Sequence, residues 1–214
     1  MPFQNNVFLN CPFDNDYRLL LKPLLFAVLY LGFKPRISQT QSSSDIRSNQ
    51  IKSYIKDSKF GIHDLSRCKP LKSGDLPRFI MPYELGLDIG CLEFGSRKLK
   101  TKKILILETE KFHYQKILSD IAGQDIEDHD DDPRTLIRKV RNWFSSLSPR
   151  KSYASPTEIW TAYNQFGSDL NEELIDDYSA ADIDNMPVEE YIKFAKRWIT
   201  SFKAQSKKTG EPGH

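Results

Sequence analysis

Glu84 is the side chain whose setting most invites chemistry. It lies in the run Met81-Pro82-Tyr83-Glu84-Leu85-Gly86-Leu87-Asp88, where Leu85 and residues 87–89 should face a core. A carboxylate near a helix start and over an apolar floor can stabilise positive charge developing on a ribose. Breaking an N-glycosidic bond builds oxocarbenium character at C1′, so a nearby carboxylate either lowers that barrier or attacks as a nucleophile. The plain structural alternative is a carboxylate that merely complements the helix dipole.

Asp64 is the second candidate. It follows Ile62 and His63 at the end of an apolar run. A strand-end carboxylate there either meets a ribose hydroxyl or base, or caps the loop that follows. His63 should face the opposite side of the strand from Asp64, and a lone strand histidine is usually a hydrogen-bonded structural residue. Other polar groups sit at the ends of apolar runs: Asn10, Cys11, Phe13 and Asp14 after the first, Arg36 and Ser38 after the second, Ser66 and Arg67 after the third. Ligands in open parallel sheets bind outside the carboxyl ends of the strands, and that rule selects these positions. Phe13 could stack on a base or simply pack. Arg36, Arg47 and Arg67 could neutralise a diphosphate, although solvated surface arginines are the common case.

Several chemistries lack their signatures. There is no G-x-G-x-x-G and no Walker A sequence, which argues against a conventional Rossmann dehydrogenase or a P-loop NTPase. Cys11, Cys68 and Cys91 form no metal-ligand spacing, and their odd number argues against a disulfide framework. The acidic residues of segment 125–132, beside His129, are explained by a strand edge and a helix start rather than by a metal. No metal and no redox cofactor is therefore expected. The 31 basic and 29 acidic residues leave a net charge of +2, too little for a general footprint on duplex DNA or an anionic membrane. No apolar run reaches the roughly 18 residues that cross a bilayer; residues 19–33 are interrupted by Lys22 and Pro23. The first residues lack the charged and apolar regions of a signal peptide. A soluble cytoplasmic protein with reduced thiols is expected.

The elements that must position these groups follow from apolar patterning. In 214 residues, 39% hydrophobic and 28% charged, short apolar blocks alternate with longer segments of helical character. Strands are expected at residues 7–11, 33–38, 59–66, 104–107 and, at an edge, 124–129. Helices are expected at 17–31, from about 45 to 58, at 79–94, 111–121 and 133–144, then at about 156–176 and 187–202, with a frayed polar tail from Lys203. Alternating strands and helices predict an α/β fold with a parallel, flavodoxin-like sheet of order 2-1-3-4-5. Residues 1–148 would form that domain, and residues 149–214 a helical extension packed on it.

Four segments carry a resemblance: VFLNCPFDNDY (7–17), FGIHDLSR (60–67), LPRFIMPYELGLDIG (76–90) and LSDIAGQDI (118–126). They are similar to a group of bacterial stand-alone proteins. More distantly they resemble the TIR (Toll/interleukin-1 receptor) domain and the nucleoside 2-deoxyribosyltransferases, which share a flavodoxin-like sheet. The resemblance spans roughly residues 4–146. In TIR enzymes a helix, a strand and a loop lead to the helix bearing the catalytic glutamate, and segments 51–58, 60–66 and the loop to Met81 keep that order before Glu84. Glu84-Leu85-Gly86 also resembles the nucleophile motif of the deoxyribosyltransferases. Pro82-Tyr83 stands where many TIR domains place Trp-Cys, and the Ser-rich segment 39–44 replaces a glycine-rich loop.

The resemblance implies cleavage or transfer of an N-glycosidic bond in NAD or a related nucleotide or nucleoside, which would be substrate rather than cofactor. Glu84 would be catalytic. Asn10, Phe13, Asp14, Arg36, Asp64, Ser66 and Tyr83 would contact the substrate. It further implies a role in antiphage defence, a homo-oligomer or a partner protein of a defence system, and no membrane. The other reading is a nucleotide-binding sensor or interaction module without turnover.

Overall fold

The computed structural model describes residues 2–14, 16–38, 44–68, 79–110 and 125–209. The chain opens with a single helical turn, α1 (Pro2–Asn5), and enters β1 (Asn6–Asn10). There follow α2 (Arg18–Tyr30), β2 (Lys34–Arg36), α3 (Ser44–Lys56), β3 (Phe60–Asp64), α4 (Ile80–Phe94), a 3₁₀ turn at Leu99–Thr101, β4 (Lys103–Glu108) and β5 (Asp125–Asp128). Four helices complete it: α5 (Pro133–Leu147), α6 (Pro156–Leu174), α7 (Ala180–Asp184) and α8 (Val188–Thr209).

The five strands form one all-parallel sheet in the order β2-β1-β3-β4-β5. This is the expected flavodoxin-like order. β4 is the continuous apolar block, and its central residues Leu105, Ile106 and Leu107 are wholly buried, as a strand covered on both faces requires. β5 takes the edge beside β4. The expected helix at 111–121 and residues 39–43 of the Ser-rich segment lie outside the described residues.

Strand alternation divides the sheet's contacts. Val7 and Leu9 of β1, Phe60 and Ile62 of β3, and Leu105 and Leu107 of β4 pack with α2 and α5. On the other face Phe8 meets Ile51 and Ile55 of α3, and Ile104 and Ile106 meet Met81 and Leu85 of α4. α2 is sheathed by the sheet, α5 and the C-terminal helices, so it is apolar nearly all round. Pro23 is accommodated in its second turn.

The C-terminal helices share that core. Phe26 of α2 stacks on Phe166 of α6, with centroids 5.4 Å apart, and touches Trp198 of α8 at 6.0 Å. The frayed tail expected from Lys203 is not what forms: α8 runs on to Thr209. Lys203 is the reason, because its Nζ donates to the Tyr30 carbonyl at the end of α2 (2.5 Å) and lies 4.1 Å above the Tyr30 ring. A cation at a helix C-terminus satisfies a carbonyl that has no partner within its helix. Among the described residues no helix is long and apolar enough to cross a membrane.

Candidate functional site

A cavity of about 260 Å³ opens at the carboxyl end of β1. Its floor is Leu9, Asn10 and Cys11, with Pro12, Phe13 and Asp14 of the following loop; α3 supplies Arg47 and Ile51, α4 supplies Ile80, Met81 and Glu84, and Ser38 stands beyond β2. Sheet order explains the convergence. β1 sits between β2 and β3, so the segments that follow all three strands meet over its end.

Glu84 reaches the cavity from the fifth residue of α4 and is 6% exposed. Its carboxylate accepts no hydrogen bond from the described residues. Burial raises its pKa from 4.5 to about 7, while the Arg47 guanidinium pulls the other way. A buried carboxylate without a hydrogen-bond donor destabilises the folded state. It is what a site built to meet an incoming positive charge retains. Cys11 lines the same cavity. Its thiol is pushed well above the usual range by burial first, then by the Asp64, Glu84 and Asp14 carboxylates.

The structure gathers some of the expected contact residues and not others. Asn10, Phe13 and Asp14 line the cavity with Glu84. Asp14 also holds the turn into α2, accepting from the Tyr17 backbone N–H at 2.9 Å. Arg36 faces a separate cavity with Phe3, Gln4 and Asn6, and its guanidinium stacks 4.4 Å over the Tyr54 ring. Tyr83 lies on the outer side of α4, 53% exposed. Of the arginines set beside Arg36, Arg47 is the one that lines the cavity, while Arg67 pairs with Asp131 at 3.3 Å.

Asp64 points to the opposite face of the sheet and is fully buried. The Tyr17 hydroxyl donates to its Oδ2 at 2.5 Å, His129 Nε2 lies 3.1 Å from the same oxygen, and the Ser66 backbone N–H donates to Oδ1 at 2.9 Å. Ser66 thus closes the turn after β3. Burial alone would raise the Asp64 pKa, but His129, Ser66 and Tyr17 together hold it below the usual carboxylate range. These bonds tie α2, β3 and the segment after β5 together. Tyr17→Phe is expected to lower the unfolding free energy by about 2 kcal/mol, the scale of a buried hydrogen bond to a charge, as read from urea denaturation.

Sequence spacing could not reveal a second buried chain beneath the cavity. Asn10 Nδ2 donates to the Met81 carbonyl (2.9 Å) and lies 3.0 Å from His63 Nδ1. His63 Nε2 lies 3.1 Å from Asp88 Oδ2, and Asp88 Oδ1 pairs with Lys102 Nζ at 3.0 Å. Lys102 also donates to the Ile55 carbonyl (2.8 Å) and to the Ser58 carbonyl. The side chains of His63, Asp88 and Lys102 are wholly buried. The local signal was present only in part, as Glu84 and Asp88 stand one helical turn apart and so share a face.

Gly61 makes room for this chain. A Cβ there would lie 2.3 Å from Asp88 Oδ2 and 2.9 Å from His63 Nε2. Gly61→Ala is expected to cost about 3 kcal/mol of stability, because a methyl group would overpack against a buried charge pair; thermal and urea unfolding would measure it.

A larger cavity of about 420 Å³ lies among α2, α6 and α7. Its charged groups are already engaged. Lys22 pairs with Asp184 at 3.6 Å, and Arg18 donates to Asn185 Oδ1 at 2.6 Å. The cavity of Glu84, whose carboxylate has no hydrogen-bond donor among the described residues, is therefore the better candidate. Comparison with known protein families, with curated proteins and with solved structures finds no match.

Proposed function

We propose that this protein cleaves or transfers the N-glycosidic bond of a nucleoside or nucleotide, NAD included, with Glu84 as the catalytic carboxylate. The observation that carries this reading is the Glu84 side chain itself. It is 94% buried, without a described hydrogen-bond donor, and set in a cavity at the carboxyl ends of the strands. As the C1′–N bond breaks, its electron pair leaves with the base and C1′ becomes cationic. The Glu84 carboxylate then stabilises that cation or bonds to C1′. Water or an acceptor hydroxyl or base completes hydrolysis or transfer. The order of segments around Glu84 resembles that of TIR enzymes and deoxyribosyltransferases, which supports the same chemistry and a defence role.

The cavity volume of about 260 Å³ is just below the usual range for ligand pockets. It suits a sugar with its base, and the rest of a dinucleotide would extend outside it. The test is incubation with NAD, ribonucleosides and 2′-deoxynucleosides while base release is followed chromatographically. Release from at least one of them is the expected result. Nucleotide binding without release at any protein concentration would replace the enzyme with a sensor.

A further inference from the structure

The Met81 carbonyl can only accept a hydrogen bond, so the Asn10 side-chain atom 2.9 Å from it must be nitrogen. The same nitrogen lies 3.0 Å from His63 Nδ1. Both amide hydrogens are thereby engaged, and His63 Nδ1 must present a lone pair. The ring hydrogen then sits on Nε2, 3.1 Å from Asp88 Oδ2, where a carboxylate accepts it. Lys102, 3.0 Å from Asp88 Oδ1 and anchored on the Ile55 carbonyl, fixes the Asp88 carboxylate against the ring. The T-shaped contact of Phe8 with the His63 ring, at 5.7 Å, and the tight fit against Gly61 leave the imidazole little room to turn. One atom of Asn10 remains. Oδ1 accepts no bond from the described residues, although Asn10 is 96% buried and lines the cavity.

We propose that Lys102, Asp88 and His63 are positioning residues that lock the Asn10 amide, so that Asn10 Oδ1 selects a ligand carrying a hydroxyl or amino donor at that wall. The inference deepens the functional reading above and rests on it for the class of ligand. A donor would complete a buried acceptor, whereas an anionic group or a carbonyl would leave it opposed. Arg47, which also lines the cavity, can meet a negative group, whereas Asn10 Oδ1 cannot. Carbohydrate hydroxyls and exocyclic amines of bases are the groups that meet this demand.

The test is a titration series in the Glu84→Gln background, which keeps ligands intact. The probes are adenosine and cytidine, their 2′-deoxy and 3′-deoxy counterparts, and the ribosides lacking the exocyclic amine. With Asn10 present, deleting one particular donor should weaken binding about tenfold, the scale of one hydrogen bond. In Asn10→Ala that same deletion should make no difference. His63→Gln keeps an acceptor toward Asn10 and a donor toward Asp88, and should preserve the discrimination. His63→Leu should reduce it. Long-range ¹⁵N–¹H spectra of the wild-type protein test the lock without any ligand, and should show His63 protonated on Nε2 and not on Nδ1. Equal discrimination in the Asn10→Ala variant, or a hydrogen on His63 Nδ1, overturns the inference while leaving the catalytic reading intact. Absence of binding by every nucleoside sinks the functional reading instead, and the spectra then decide the amide orientation alone.

Discussion

Glu84→Gln is expected to slow base release about 10³-fold while substrate affinity changes little. The substituted amide fills the same space, so the cavity and its other contacts remain. On the proposed mechanism, what disappears is a negative charge placed where positive charge develops, and removal of such preorganised stabilisation typically costs two to three orders of magnitude. The charge matters chiefly in the transition state, so the loss should fall on kcat rather than on KM. The wild-type rate should also report the ionisation of this group. Because burial raises its pKa to about 7, kcat/KM should rise about tenfold per pH unit below that value and level off above it. A rate profile of the wild type shows this limb. Retention of full turnover by Glu84→Gln would refute the mechanism.

The same substitution is expected to stabilise the fold, and by more at high pH than at low. Folding lifts the Glu84 pKa from 4.5 to about 7. Between those values the folded chain holds a proton that the unfolded chain has released. Stability therefore falls as the pH rises through this window, and the full penalty is present above it. A separation of that size corresponds to at most about 3 kcal/mol. Glu84→Gln carries no such penalty, so its advantage over wild type in urea unfolding should be small near pH 4 and approach that figure near about pH 8. His129, whose pKa burial lowers but the Asp64 carboxylate raises on balance, weakens both proteins alike with rising pH and cancels in the difference. An advantage independent of pH would mean that the Glu84 carboxylate is not desolvated. Together the two results would show a catalytic group retained at the expense of stability.

Much of this architecture is legible in the chain because short-range physics dictates it. The block Ile104-Leu105-Ile106-Leu107 has nowhere to go but the centre of a covered sheet, and it is found there. Polar residues at the ends of such blocks mark where a ligand would approach, and Asn10, Phe13 and Asp14 do line one cavity with Glu84. Local patterning failed where a distant partner decides. Lys203 reads as part of a polar tail, yet it seals the end of α2 from 173 residues away. Asp64 reads as either a ligand contact or a cap for the loop after its strand; Ser66 completes that cap, while Tyr17 and His129 meet its other oxygen from distant parts of the chain.

By itself the sequence determined which segments become strands and helices, and that an acid would stand near the start of an apolar helix, because periodicity and local preference are carried by neighbours in the chain. Only the tertiary structure decided what each buried charge meets. Asp88 and Asp64 are both fully buried acids, but one completes a chain from Lys102 to Asn10 and the other ties two helix-bearing segments on the far face. Pairing energy depends on distance in space and on exclusion of water. Neither quantity exists until the strands have taken their order.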